Sequence, residues 1–98
     1  MSEDQKKLRL RALVSEKSLL SGKPFTLASG ATSNYYFNMK ATTFDPEGAN
    51  LIADLILDAL DNFDVQGIGG LEMGAVPIAA CVSMKSFLRN RPLPGFFV

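Results

Sequence analysis

Apolar positions change their period several times along the chain, and each change marks an element. Leu10, Leu13 and Val14 share a helical face, with Leu8 and Ala12 beside it and Lys6, Lys7, Arg9 and Arg11 as polar surface. That spacing predicts a helix over 4–20. Ser21-Gly22 would stop it, because glycine takes the left-handed conformation that closes a helix. Residues 25–27 and the aromatic run Tyr35-Tyr36-Phe37-Asn38-Met39 then read as two short strands around a small-residue loop over 28–34, a small antiparallel piece.

The second half has a different rhythm. Asp45 suits the cap of a helix, Pro46 its first position and Glu47 its positive end. Leu51, Ile52, Leu55, Ile56, Ala59 and Leu60 make its apolar stripe, and Asp54, Asp58 and Asp61 line the opposite side as a solvated acidic face. A short buried strand over 65–68 leads into Gly69-Gly70-Leu71-Glu72-Met73-Gly74. An apolar run over 75–88 follows, with Pro77 near its beginning where proline is tolerated, and reads as a helix. After a proline-marked connection, Gly95-Phe96-Phe97-Val98 looks like the opening of another strand. Helix, strand, glycine loop and helix in this order are the grammar of an α/β sheet with crossover helices. Two such short strands leave the helices' apolar faces uncovered, so the sequence reads as an incomplete domain.

Composition narrows the chemistry. The 98 residues carry ten basic and ten acidic side chains, with no histidine and a single cysteine. Neutrality argues against a nucleic-acid partner, which wants a basic excess. The missing histidine and lone cysteine argue against a disulfide scaffold, a Cys/His zinc site and a histidine base. A polar start without an apolar core does not resemble a secretory signal. The longest mostly apolar stretch, 75–82, is far short of the roughly 20 residues that span a bilayer. A cytoplasmic protein without a membrane partner is expected. The charge is unevenly spread: residues 41–84 hold seven acidic and no basic side chains, while both flanks are basic.

Candidate chemistry concentrates in two places. The loop over 69–74 lies between a strand's C-terminal end and a helix N-terminus, where open α/β folds bind ligands and where amides suit phosphate or pyrophosphate. It is neither a P-loop nor a dinucleotide fingerprint, and a tight structural turn would explain the glycines equally well. Glu72 is either a solvated loop acid or a functional group, a hydrogen-bond acceptor or a partner of metal-bound water. In the aromatic strand, alternation sends Tyr36 one way and its neighbours the other, so one face can pack and the opposite face can offer a ring to a planar ligand. Lys40 just beyond could reach an anion or simply sit in solvent. Cys81, inside an apolar helix, reads as a small buried hydrophobe.

Several of these stretches together resemble a known family. Lys23-Pro24-Phe25-Thr26-Leu27-Ala28-Ser29-Gly30, Ser33 and Tyr35-Tyr36-Phe37-Asn38-Met39-Lys40, spaced from Gly69-Gly70-Leu71-Glu72-Met73-Gly74-Ala75-Val76-Pro77-Ile78-Ala79-Ala80, look like the amino-terminal region of orotate phosphoribosyltransferases. The resemblance implies an incomplete type I phosphoribosyltransferase core, Rossmann-like α/β, over 45–98, preceded by a small α+β hood over 1–44. It implies that Ser29, Gly30, Tyr36, Phe37 and Lys40 lie on the substrate side. It implies that Gly70, Leu71, Glu72, Met73 and Gly74 touch the pyrophosphate of 5-phosphoribosyl 1-pyrophosphate.

In that family a ring nitrogen of orotate attacks the anomeric carbon of the ribose and pyrophosphate departs, giving orotidine 5′-monophosphate on the route to UMP. Magnesium accompanies the diphosphate, and two copies commonly form a homodimer with shared sites. No protein metal ligands are implied within this chain, and the catalytic residues are expected beyond Val98, so the chain alone should be inactive. Two departures stand out: Ala28 precedes the Ser-Gly pair and Met73 precedes the last loop glycine, where some members carry lysines. A phosphoribosyltransferase for another base, or a non-enzymatic dimerisation or binding module, are the alternatives.

Overall fold

The computed structural model describes residues 1–98, with the side chain of Lys23 outside the described set. Helix α1 (Glu3–Lys17) begins on a reciprocal cap: the Ser2 hydroxyl accepts from the Gln5 amide, and the Gln5 side chain accepts from the Ser2 amide, satisfying amides that the first turn leaves without partners. The helix ends earlier than its apolar spacing predicts. Ser18 is fully buried, and its amide donates to the Val14 carbonyl at 2.9 Å. Leu19 and Leu20 then leave the helix to pair with Phe37 and Tyr36 in a ladder. Cross-strand pairing and the Ser18 cap outweigh three more residues of helix.

Strand β1 (Leu19–Thr26) runs antiparallel to β2 (Thr32–Phe37), the expected small antiparallel piece. It is longer than predicted at its start, and β2 is shifted toward the amino terminus relative to the predicted 35–39. Gly22 does adopt a positive φ of 96°, but it closes no helix. It lies inside β1, where the pairing register shifts between Ser21 and Phe25, the signature of a bulge. A four-residue helix, α2 (Lys40–Thr43), follows β2 and has no counterpart in the sequence pattern.

Helix α3 (Pro46–Leu60) starts as its sequence predicts: the Gly48 amide donates to Asp45 Oδ2 at 2.8 Å with Pro46 in the first turn. Its buried face differs from the predicted stripe. Leu51, Ala53 and Leu57 are buried, whereas Ala59 is exposed. The reason is that α3 is covered from two sides: Ala53 and Leu57 pack with Val82 and Leu93, while Leu55 faces α1. Asp54 and Asp58 therefore lie between helices and form no free acidic face.

Strand β3 (Ile68–Gly70) begins where the predicted strand was to end, so Gly69 and Gly70 belong to the sheet and not to the loop. It pairs in parallel with β4 (Gly95–Phe97), connected through α4 (Ala75–Leu88), the crossover that the helix–strand–loop–helix order predicted. Asn90, at a φ of 61°, closes α4. Its amide donates to the Phe87 carbonyl and the Arg91 amide to the Ser86 carbonyl, each at 3.0 Å, a Schellman closure. Cys81 is partly buried and packs against the core, as expected. The architecture is mixed α/β, with a hairpin on one side of α1 and α3 and a parallel pair beside α4.

Candidate active site

The parallel pair and α4 build one wall of the site. Chain leaving β3 passes through residues 71–74 and enters α4 at Gly74. The glycines here serve packing before anything else. A Cβ on Gly69 would come within 2.4 Å of the Phe96 carbonyl oxygen, and one on Gly70 within 2.7 Å of the Ala75 Cβ. Gly74 is different: a Cβ there would meet nothing within 4 Å. Its surroundings alone leave room for a ligand to approach the backbone. The Glu72–Met73 peptide is cis. The Glu72 amide donates to the Val98 carbonyl at 3.1 Å, so it is held by the β3–β4 edge. The amides of Met73 and Gly74 have no acceptor among the described residues.

α2 builds the opposite wall. Met39, Lys40, Thr43 and Phe44 face Met73, Gly74, Pro77 and Ile78 across a cleft of about 430 Å³, within the range of small-molecule sites, ~300–1,000 Å³. The lining is mostly apolar, with the Lys40 ammonium and the Thr43 hydroxyl as its polar side-chain groups. Lys40 forms no ion pair among the described residues. The first turn of α4 carries no acidic residue and no side-chain cap. Its Ala75 and Val76 amides donate to the Leu71 and Met73 carbonyls at 3.2 and 3.1 Å, so the amides left open at this end are those of Met73 and Gly74. A free cation, two open amides and a helix N-terminus on one cleft suit an anion.

The other end of α4 is anchored by charge. Arg89 Nη2 and Lys85 Nζ lie 2.7 and 3.2 Å from Asp54, and Lys6 Nζ and Arg89 Nη1 lie 2.8 and 3.0 Å from Asp58. Burial alone would raise the Asp54 carboxyl, but hydrogen bonds from Arg89 and Lys85 overcome it and hold the group below its ordinary value. For Asp58 the hydrogen bond from Lys6 leads, and with that from Arg89 it outweighs the opposing effect of burial, so this carboxyl too is held below its ordinary value. The basic flanks and acidic middle of the sequence thus converge, tying α1, α3 and α4 together away from the cleft.

Of the residues singled out from sequence, the cleft unites Lys40, Met73 and Gly74. Gly70 lies in β3, and Leu71 and Glu72 are exposed on the loop outside the lining. Ser29 and Gly30 are exposed in the β1–β2 turn, where Gly30 takes a φ of 87°. Tyr36 meets Phe25 at 6.1 Å between ring centroids, and Phe37 meets Tyr35 at 6.0 Å. The two rings therefore point to opposite sides, as alternation predicted. Phe37 turns toward a groove shared with Leu10, Val14 and Leu55. None of these four lines the cleft. Thr43, Phe44, Pro77 and Ile78 do. Thr43 and Phe44 escaped the sequence reading because the single turn of α2 carries no periodic signal, whereas Pro77 and Ile78 lie in the well-predicted α4 and only the tertiary fold brings them to the cleft. Among the described residues no three His, Cys, Asp or Glu side chains could hold a metal ion together. Among them, too, no helix is long and apolar enough to cross a membrane.

No protein-family model matches the chain. It is 47% identical over all 98 residues to the orotate phosphoribosyltransferase of Rhodopseudomonas palustris (strain BisB5), covering 52% of that protein. It is 44% identical to that of Bradyrhizobium diazoefficiens, again over 52% of it. Among solved structures it resembles Mycobacterium tuberculosis orotate phosphoribosyltransferase in complex with inorganic phosphate, with a TM-score of 0.82 and 29% identity. That match covers 96% of this chain and 54% of the other. The same enzyme in complex with 5-phospho-alpha-D-ribosyl 1-diphosphate matches with a TM-score of 0.77 and 28% identity, over 95% and 52% of the two chains. The chain spans about half the length of the curated relatives it matches. In sequence and in fold, the whole chain is similar to the amino-terminal portion of orotate phosphoribosyltransferases.

Proposed function

We propose that this chain supplies the first part of an enzyme that transfers the phosphoribosyl group of 5-phosphoribosyl 1-pyrophosphate to orotate. The products are orotidine 5′-monophosphate and pyrophosphate, in the formation of UMP. The observation that carries the proposal is the cleft in which Lys40 faces Met73, Gly74 and the start of α4, within a chain similar throughout to orotate phosphoribosyltransferases. In the transfer, a ring nitrogen of orotate forms the bond to the anomeric carbon as the carbon–oxygen bond to pyrophosphate breaks. Negative charge grows on the departing diphosphate, where preorganised amides and a cation stabilise it most. The loop from Gly70 through Leu71, Glu72, Met73 and Gly74 is assigned to the pyrophosphate. Ser29, Gly30, Tyr36 and Phe37 are assigned to the orotate end, with Lys40 between the two.

Magnesium belongs to the proposal as a companion of the diphosphate. Magnesium keeps several waters and is held chiefly by substrate phosphates with one or two carboxylates at most, so the ion would be carried mainly by phosphate oxygens and water. A homodimer in the cytoplasm completes the assignment, and the chain alone is expected to give no turnover.

The test joins this chain to the carboxy-terminal part of the Rhodopseudomonas palustris relative and follows pyrophosphate release. Release that depends on orotate is expected. A folded chimera that releases pyrophosphate with uracil or hypoxanthine but not with orotate, or with no base at all, overturns the assignment.

A further inference from the structure

The wall that carries Lys40 is a helix of four residues, too short to hold its own shape, since one turn fixes many dihedrals for few hydrogen bonds. Something outside α2 must set its position. Thr42 is fully buried and so is Ser18, and their hydroxyl oxygens lie 2.5 Å apart. Ser18 is a junction in its own right: its amide ends α1, and its carbonyl accepts from the Asn38 amide at 2.8 Å, just past β2. On the other side Thr42 is pressed against the first turn of α3. A Cβ on Gly48 would lie 2.2 Å from the Thr42 carbonyl oxygen and 2.9 Å from its Cγ2. Thr42 is thus held between the end of α1 and the start of α3, while its neighbours Lys40 and Thr43 line the cleft.

We propose that the Ser18–Thr42 hydroxyl pair is a positioning device, holding α2 so that Lys40 faces the Met73–Gly74 amides at the distance an anion requires. The anion-binding half of this statement rests on the function proposed above. The positioning half rests on the buried pair alone.

Two measurements separate them. Removing one hydroxyl leaves its partner buried without a bond, which is destabilising in itself, whereas removing both with little change of shape is nearly neutral. The informative variant is therefore Ser18→Ala combined with Thr42→Val, made in the full 98-residue chain. Its melting temperature is expected to stay within about 4 °C of the wild type, the equivalent of one small stability increment. Its Met39–Phe44 amides should nevertheless show increased motion by 15N relaxation, and its affinity for inorganic pyrophosphate should drop about tenfold, as for a lost charged hydrogen bond. Thr42→Ser keeps the hydroxyl and should restore affinity. Unchanged relaxation over 39–44 in the double variant overturns the positioning role. If the wild type binds no pyrophosphate while the double variant still loosens α2, the anion site falls and the positioning role stands.

Discussion

Replacing Asp54 with asparagine should cost about 2 kcal/mol of stability. The carboxylate sits between α3 and α4, 16% exposed, with Arg89 at 2.7 Å, Lys85 at 3.2 Å and Lys6 at 3.8 Å. Unit charges about 4 Å apart attract by ~4 kcal/mol at an effective dielectric near 20. Most of that is offset by desolvation and side-chain ordering, and fully exposed pairs retain only about 0.2–1 kcal/mol. Partial burial and direct hydrogen bonds from charged donors put this group above that range, at about 1.5–3 kcal/mol. The lower half applies because Lys6 and Arg89 keep Asp58 and Lys85 keeps the Asn50 side chain. For a chain of this size the melting temperature should drop by roughly 8–16 °C.

The assay is urea unfolding at pH 7 followed by circular dichroism, in 50 mM and 500 mM salt. Glu3→Gln, which breaks the exposed Lys7–Glu3 pair, is the control. A loss at Asp54 below about 0.5 kcal/mol, or one no larger than at Glu3, would place the network among ordinary surface pairs and refute the reasoning.

Further outcomes are expected from the same structure. Because Asp54 and Asp58 are held below their ordinary values in the fold, their contribution should be complete above the unfolded pKa of about 3.9 and lost as pH falls through the lowered folded values. Urea midpoints between pH 2 and 6 check this, and the Asp54→Asn and Asp58→Asn variants should flatten that acid limb. Gly69→Ala should lose about 1–3 kcal/mol by overpacking against Phe96, measured by thermal melting. Gly74→Ala, at a helical φ of −57° with open space around it, should gain up to about 1 kcal/mol. It should still weaken pyrophosphate binding by calorimetry, since the methyl group occupies the ligand's approach. Asn90→Gly relieves a positive φ at the end of α4, and should raise stability by a few tenths to about 1 kcal/mol in the same urea titration.

What the sequence determined by itself was local chemistry. Asp45-Pro46 started α3 and the apolar run over 75–88 became α4 residue for residue, because capping and helix period act within a few neighbours. The alternation of Tyr35, Tyr36 and Phe37 survived for the same reason. Lys40 and Met73-Gly74 were visible as candidates on chemical type and resemblance, but not their meeting across a cleft. Only the tertiary structure decided where α1 ends, since Ser18 and Leu19 answer to partners about twenty residues away. It also turned Asp54 and Asp58 from a solvated face into the joint of three helices. Gly69, which the sequence left open between a ligand loop and a structural turn, lies in β3 and makes room for Phe96. In each case the deciding partner is distant in sequence, and a periodic pattern carries no information about which surface another segment will cover.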